Sequence, residues 1–561
     1  MKSGKRVIII GGVAGGASCA TRARRLSEDS EIIMIEKGPY VSFANCGLPY
    51  HVGKVIRREE ALLVANPVLF KNRFNIDVRL NSEATSIDRE NREVEILEVQ
   101  TGRRYREKYD ALVLSPGATP VVPPVPGVEL PGIFTLRSIP DTRQIKAWME
   151  KLKAGRAMVV GGGFVGLEMT ENLVRLGIEV SLVEMQQQVM PLMDSEMIGP
   201  VHEELRRNNV LLRLGDAVAS FELMSEGCLR ATMKSGDTEK VDMVIIAVGV
   251  RPETKLARDC GLDIGELGGI RVDEQMRTND PRIWAVGDAV EVKDFVTGKW
   301  SFVPLAGPAN RQGRIAADVI FGKAMAFRGS QGSMVCGVFD LRIASTGSSE
   351  KALKKAGLWD ECEKVYLHPA NHATYFPGAK PISLKLIFSK TDGRVLGAQA
   401  VGQEGVEKRI DVISMAIQKS GSVFDLEEAE LCYAPQFGSA KDPVNMAGMI
   451  AANILRGDTR IAQWEELENS NAFIFDVRDP SEFKRRHLNE AVNIPLNELR
   501  SRLDELPKDR EIYAYCEVGQ RSYYAARLLS HNLFDVKSLS GGYKTLMAKK
   551  GKPAPQKTSG D

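Results

Sequence analysis

Cys46 stands in the stretch Ser42-Phe43-Ala44-Asn45-Cys46-Gly47-Leu48-Pro49-Tyr50, thirty residues after a glycine turn that closes at Gly16, and the next cysteine along the chain is Cys228. A thiol with no neighbouring partner can be oxidised to a mixed disulfide with a small substrate, a persulfide or a sulfenic acid. That points to a short set of sulfur or peroxide reductions. A buried structural thiol is the commoner fate of a lone cysteine, but Asn45 and Gly47 beside it favour the reactive reading. A second thiol, Cys516, opens the loop Cys516-Glu517-Val518-Gly519-Gln520-Arg521 between an apolar strand at 512–515 and a helix at 522–529. Backbone amides of such a loop converge on the sulfur, and the helix N-terminus favours the anion. A thiolate there can accept a sulfane sulfur and hold it as a persulfide. Cys19, between Ala17 and Ala20, reads as core packing, and Cys228, Cys260, Cys336, Cys362 and Cys432 have no local constellation.

The elements that position Cys46 are legible upstream of it. An apolar strand at 5–10 leads into Gly11-Gly12-Val13-Ala14-Gly15-Gly16 and a helix at 17–26, and a strand at 31–35 ends in Glu36. This is the order of a dinucleotide fold: glycines admit the pyrophosphate to a helix N-terminus, and the acid binds a ribose hydroxyl. Val13 occupies the second glycine position. A second copy is complete: a strand at 157–160, Gly161-Gly162-Gly163-Phe164-Val165-Gly166, a helix to 176, and a strand at 179–183 ending in Glu184. An acid there accepts a hydrogen bond from a free 2′-hydroxyl and repels a 2′-phosphate, and no arginine follows it, so NADH is expected over NADPH. Two such folds imply two dinucleotides, most simply a flavin and a nicotinamide. The strand at 109–115, with Ser115 before Pro116-Gly117, and the strand at 241–248 before Gly249 repeat one arrangement. Asp288 and Ala289 fall in 283–289, an acid at a strand-to-helix turn suited to a flavin ribityl hydroxyl, although a plain helix N-cap is the bland alternative.

At 561 residues, three to four domains are expected. The 75 basic against 73 acidic residues give no sign of a nucleic-acid partner. The apolar run at 7–10 breaks at Gly11-Gly12 and reads as a buried strand, not a signal peptide. No uninterrupted apolar run of ~18 residues is present, so no membrane helix is expected. Eight cysteines without pairs or metal-ligand spacing fit a reducing cytoplasm and no metal site. Beyond residue 331 longer strands appear, at 383–388 and 394–400 around an Asp392-Gly393 turn, followed by a helix at 405–419.

Residues 1–453 resemble the single-cysteine flavin disulfide reductases, coenzyme A disulfide reductase in particular. The resemblance rests on 11–16, 42–50, the second glycine turn, 285–289 and the run 304–314. That family usually has Val at the second glycine. The last ~95 residues resemble a single rhodanese domain through Asp476-Val477-Arg478, Glu482-Phe483, His487, 491–495, the Cys516 loop and Ser540-Gly541-Gly542-Tyr543. The four residues between Cys516 and Arg521 make a tighter ring than the five of related phosphatases, which favours sulfur transfer. The fusion is similar to reductase–rhodanese proteins read as NADH-dependent persulfide reductases.

The resemblance implies an α/β chain of two Rossmann-like domains, an α+β dimerisation domain and a C-terminal α/β rhodanese domain. The expected boundaries are 1–150 and 276–330 for FAD, 151–275 for NADH, 331–453 for dimerisation, a linker at 454–463, rhodanese at 464–548 and a disordered tail at 549–561. Cofactor contacts are expected from Gly11, Val13, Ala14, Gly15, Gly16, Glu36, Ser115, Gly117, Asp288 and Ala289 for FAD, and from Gly161, Gly163, Gly166 and Glu184 for NADH. Catalysis is expected from Cys46 with Asn45, and from Cys516 with Arg521. Tyr375 and Tyr433 match the family pair that reaches the other subunit's cysteine, implying a homodimer. Ser42 joins two basic clusters, Arg22 with Arg25 and Lys71 with Arg73, as expected contacts for coenzyme A, whose phosphates the four cations suit. NADH peroxidases and oxidases are the enzymatic alternative, but they carry a histidine two residues before the last glycine of the first turn, where this chain has Ala14. A redox sensor or sulfur carrier with incidental turnover is the non-enzymatic one.

Overall fold

The computed structural model describes residues 4–225, 227–467 and 470–550. They form two compact units: the residues up to Gln187 together with Asn209–Gly332, and Gln188–Asn208 together with those from Ser333 onward.

In the first unit, strands Arg6–Ile10, Glu31–Ile35, Asp77–Arg79, Ala111–Leu114 and Ile283–Ala285 form one parallel sheet, with Arg6–Ile10 at its centre. Val7, Ile8, Ile9, Leu112 and Val113 are fully buried, as unbroken apolar strands covered on both faces should be. Helix Ala14–Leu26 packs against helix Ala306–Ile320, where a side chain on Gly313 would meet the Gly15 carbonyl at 2.1 Å. A second parallel sheet runs Leu211–Leu214, Glu179–Glu184, Arg156–Val160, Met243–Ile246 and Ile133–Phe134. Ile133–Phe134 therefore supplies an edge strand to the second nucleotide fold from before residue 151. Two antiparallel three-stranded sheets, at Ser82–Asp88, Glu93–Glu98, Arg104–Lys108 and at Val218–Leu223, Leu229–Met233, Thr238–Val241, complete the unit.

In the second unit, five antiparallel strands run in the order Met334–Val338, Leu341–Gly347, Val395–Gly402, Ile382–Ser389, Cys362–Leu367. Helices Val406–Gln418 and Pro443–Leu455 pack on this sheet. The C-terminal sheet is parallel, in the order Ile461–Ala462, Val536–Leu539, Ile512–Tyr515, Phe473–Asp476, Val492–Asn493.

Three expectations need correction. Helix Pro443–Leu455 continues past 453, and the 454–463 segment already contains strand Ile461–Ala462, paired with Ser538 and Leu539. Asp288 does not open a helix: Gly287–Ala289 is one 3-10 turn, and strand Val290–Lys293 follows, because Gly287 at φ +78° redirects the chain. Lys549 closes helix Gly542–Lys549, and the rest of the expected tail, from residue 551, lies outside the described residues.

A buried ammonium organises the second unit. Lys385 Nζ is fully buried and bonds Asp194 Oδ2 at 2.8 Å, Glu196 Oε1 at 2.6 Å and Glu350 Oε2 at 2.8 Å. Asp194 also accepts from Gln399 Nε2 at 2.8 Å and from the Glu350 amide at 3.1 Å. The network fastens the start of helix Ser195–Arg207 to the antiparallel sheet. Burial alone would raise Glu196 and Glu350, but the Lys385 charge, joined by Tyr366 at Glu196 and by Lys354 and Lys364 at Glu350, outweighs it and brings both down to about 2. Their stabilisation is complete above the ordinary carboxyl range, near pH ~4.3, and is lost as pH falls through about 2. Lys385→Met, which strands Asp194 and Glu196 without an ammonium and leaves Glu350 only Lys354 and Lys364, should cost ~3–5 kcal/mol in urea unfolding near neutral pH and flatten the acid limb of the stability curve.

Candidate active site

Both glycine turns use one geometry. Gly11 and Gly161 take φ of +92° and +108°, and a side chain on Gly16 or Gly166 would come 1.9 Å from the carbonyl of Gly11 or Gly161. The helices that follow, Ala14–Leu26 and Phe164–Arg175, have no side-chain cap on their first amides. Those amides are the donors a pyrophosphate requires. The two strand-end acids are fastened alike: Glu36 accepts from the amides of Gly12 and Gly38, both at 2.9 Å, and Glu184 from those of Gly162 at 2.7 Å and Gln186 at 2.8 Å. Each carboxylate is thus fixed at the mouth of its turn, with lone pairs left for a ribose. The residues present fit two dinucleotides.

The Cys46 segment hangs on the first turn. The Ser42 amide donates to Gly12 O at 2.8 Å, and Ser42 O accepts from Val64 and Ala65. Asn45–Gly47 is a 3-10 turn running into helix Leu48–Val52, with Pro49 in its first turn. Asn45 and Cys46 are exposed. Partial burial of the sulfur raises the Cys46 thiol, and the nearby carboxylates of Glu168 and then Asp288 raise it further. Asp288 is itself raised by burial, against a downward pull from Arg137. Arg137 donates to Pro116 O at 3.0 Å, on the turn that carries Ser115 and Gly117 (φ +75°), and Ala289 is buried. Strand Ala118–Pro120 leaves that turn and pairs with Val250–Pro252 from the matching turn of the second fold.

The basic residues divide. Arg22 donates through Nε and Nη2 to Asp318 Oδ1, at 3.0 and 2.7 Å, and so bridges two helices. Arg25 and Arg73 are exposed, and Lys71 Nζ bonds Asn75 Oδ1 at 3.0 Å. Glu168 and Tyr50 were not singled out from sequence. The Tyr50 hydroxyl reaches Glu168 Oε1 at 3.3 Å. The available signal was an acid two residues past the last glycine of the second turn, flanked by the buried Leu167 and Met169.

In the second unit, the Tyr375 and Tyr433 hydroxyls are 2.6 Å apart, and their hydrogen bond raises Tyr375. Buried Arg409 sets their loops: its guanidinium binds Asp442 at 3.2 and 2.8 Å and Asn371 O at 2.7 Å, while the Ala373 amide donates to Gly438 O at 2.9 Å. Both tyrosines are exposed, at 74% and 49%, beside exposed Phe376 and Phe437.

Cys516 ends strand Ile512–Tyr515 and is fully buried. The Gly519 amide donates to its Sγ at 3.1 Å, and helix Gln520–His531 begins immediately after. The Tyr543 and Lys544 amides close the loop from behind through the carbonyls of Cys516 (2.8 Å) and Glu517 (2.9 Å). Arg521 binds Glu482 through both oxygens, at 2.7 and 2.8 Å. It therefore braces the loop from outside through an ion pair.

Residues 5–313 match the family described as pyridine nucleotide-disulphide oxidoreductase, and residues 334–442 match its dimerisation domain. The chain belongs to the pyridine nucleotide-disulphide oxidoreductases. Residues 462–549 of this oxidoreductase match a rhodanese-like domain. It is 35% identical over 444 residues to coenzyme A disulfide reductase of Staphylococcus aureus (strain bovine RF122 / ET3-1), covering 79% of this chain and 99% of that one. The crystal structure of reduced Bacillus anthracis CoADR-RHD superposes with a TM-score of 0.95 at 47% identity, covering 97% of this chain and 98% of that chain. A NAD-dependent persulfide reductase from A. fulgidus gives 0.89 at 39%, covering 97% and 99%.

The rhodanese-like loop of this oxidoreductase depends on Gly542, at φ +65°, where a Cβ would fall 2.5 Å from Cys516 O and 2.6 Å from Gly519 N. Gly542→Ala should destabilise that domain by ~1–3 kcal/mol and open the loop. Mass-spectrometric labelling should then show Cys516 alkylated faster, with Cys46 labelling unchanged.

Proposed function

We propose that this chain is a dimeric flavoprotein that uses NADH to reduce a persulfide, polysulfide or coenzyme A disulfide at Cys46, with Cys516 receiving sulfane sulfur. The observation that carries the reading is one exposed, unpartnered thiol hung directly on a glycine turn that fits a flavin nucleotide, in a chain with a second, nicotinamide-type turn. The printed names of the relatives, coenzyme A disulfide reductase and NAD-dependent persulfide reductase, support the two substrate classes.

Gly11, Val13, Ala14, Gly15 and Gly16 would hold the FAD pyrophosphate, with Glu36 at its ribose and Ser115, Gly117, Asp288 and Ala289 along the rest. Gly161, Gly163, Gly166 and Glu184 would hold NADH. Bound together, the two cofactors supply the electron pair that reduces oxidised Cys46. The Cys46 thiolate attacks a substrate sulfur, forms a mixed disulfide or persulfide, and expels a thiolate or hydrosulfide, which takes up a proton. Asn45 flanks the thiol, and Tyr375 and Tyr433 of a second copy would hydrogen-bond it. The exposed aromatic cluster around that pair supports a homodimer. Ser42, Arg22, Arg25, Lys71 and Arg73 are the groups that would contact coenzyme A. Cys516 would take sulfane sulfur as a persulfide, with Arg521 bracing its loop. Eight cysteines outside any disulfide fit a reducing cytoplasm, and no described helix is long and apolar enough to cross a membrane.

Comparing kcat/KM for coenzyme A persulfide, coenzyme A disulfide, polysulfide and hydrogen peroxide tests the reading; preference for peroxide would overturn it. Cys46→Ser should retain FAD and its reduction by NADH but lose turnover with every sulfur substrate. Cys516→Ser should abolish transfer from thiosulfate while leaving coenzyme A persulfide reduction nearly intact. Glu184 should favour NADH over NADPH by at least about tenfold in kcat/KM, about 1.4 kcal/mol, and equal values would refute its assigned role.

A further inference from the structure

His368 stands in the second unit, immediately after strand Cys362–Leu367 at the edge of the antiparallel sheet. Its ring bridges two hydroxyls. Nδ1 lies 2.9 Å from Ser383 Oγ on the neighbouring strand, and Nε2 lies 2.8 Å from Thr545 Oγ1 on helix Gly542–Lys549 of the rhodanese-like domain. Thr545 is buried, and its hydroxyl reaches Gly541 O at 3.1 Å. A hydroxyl has one proton to give. With that proton on Gly541 O, Nε2–H donates to Thr545 and Nδ1 accepts from Ser383, so one neutral tautomer satisfies every partner. Burial holds His368 well below the usual histidine range, the Lys544 charge adds to this, and Gly541 opposes it.

Gly541 is where this chain of bonds meets the Cys516 loop. Gly541 and Gly542 take φ of +69° and +65°. On one side, a Cβ on Gly541 would come 2.5 Å from Tyr366 Cβ, and the Tyr366 amide donates to Ser540 Oγ at 3.3 Å. On the other, a Cβ on Gly519 would meet Gly541 N at 3.4 Å and one on Gly542 would meet Gly519 N at 2.6 Å. The Gly519 amide is the group that donates to Cys516 Sγ. The glycine turn is therefore wedged between residues of the antiparallel sheet and the loop that carries the thiol.

We propose that His368 is a positioning residue for Cys516: through Thr545 and the Gly541–Gly542 turn it holds the Gly519 amide on the sulfur that takes up sulfane sulfur. A residue outside the rhodanese-like domain thus completes that domain's reactive loop. The inference rests on Cys516 being the sulfur-accepting thiol. With thiosulfate as donor, the Cys516 thiolate attacks the outer sulfur, the S–S bond breaks, sulfite leaves with its electron pair, and a Cys516 persulfide anion remains. Cyanide then takes the terminal sulfur as thiocyanate and restores the thiolate. Charge balances in both steps, and no external oxidant or reductant takes part. The negative charge stays beside the Gly519 amide throughout, where a fixed donor favours it.

The test is thiocyanate formation from thiosulfate and cyanide by full-length, flavin-loaded protein. Rates are normalised to the sulfite released in a single turnover without cyanide, so that unfolded molecules are not counted. His368→Leu should lower kcat on the order of tenfold to hundredfold, with the KM for thiosulfate moved less. His368→Gln, which keeps a donor near the Nε2 position, should recover most of the loss. Thr545→Val removes the hydroxyl at nearly constant shape and should match His368→Leu, whereas Thr545→Ser should stay near the parent; this pair decides if His368→Leu fails to fold. Gln463→Leu deletes another bond from the rhodanese-like domain to the sheet, to Lys364 O at 2.9 Å, without touching the turn, and should keep kcat. Full kcat in both His368→Leu and Thr545→Val overturns the assignment, as does an equal loss in Gln463→Leu. Thiocyanate formation that survives Cys516→Ser would instead remove the functional reading beneath it, whatever the His368 variants do.

Discussion

The architecture of the first unit depends on one steric constraint, met twice: a helix must begin in contact with the carbonyl that ends the strand before it. With 1.9 Å between a hypothetical Cβ on Gly16 or Gly166 and that carbonyl, no side chain is possible. Closing this gap leaves the first helical amides uncapped and brings the acid of the next strand to the mouth of the turn. It also presents Gly12 O, the acceptor on which Ser42 and the whole Cys46 segment hang. Phosphate recognition and thiol placement therefore come from the same few backbone atoms.

The two thiols solve opposite problems. Cys46 is exposed as a residue, and partial burial of its sulfur with the charges of Glu168 and Asp288 raises its thiol, so its environment bears on charge more than on access. Cys516 is enclosed by two glycine-rich segments and an amide at 3.1 Å, so its environment regulates access and geometry. Arg521, which invites reading as an anion ligand, instead locks to Glu482 and holds the loop's outer wall.

What was legible in the sequence was local. Glycine turns, strand-end acids, the Cys46 stretch and the Cys516 loop are each encoded within a few dozen residues, and their elements fall within a few residues of the expected bounds. What was not legible joins distant segments. Arg22 meets Asp318 across 296 residues. Glu168 meets Tyr50 across 118 residues, and Arg409 meets Asp442 across 33. The 3-10 turn at Asp288 escaped because an acid after a strand suits a helix cap and a turn equally well. The small antiparallel sheets carry weak alternation, with charged residues on their open faces.

The Lys385 network also sets a timetable for synthesis. Asp194 leaves the ribosome 191 residues before the ammonium that neutralises it. At elongation rates of about 5–20 residues per second, that is a wait of about 10–40 s. Throughout it, helix Ser195–Arg207 has its apolar face, including Ile198, Val201 and Leu205, without the sheet that later covers it. The nascent chain therefore passes through a stage in which the strands of the second nucleotide fold are all made while this helix still lacks its sheet.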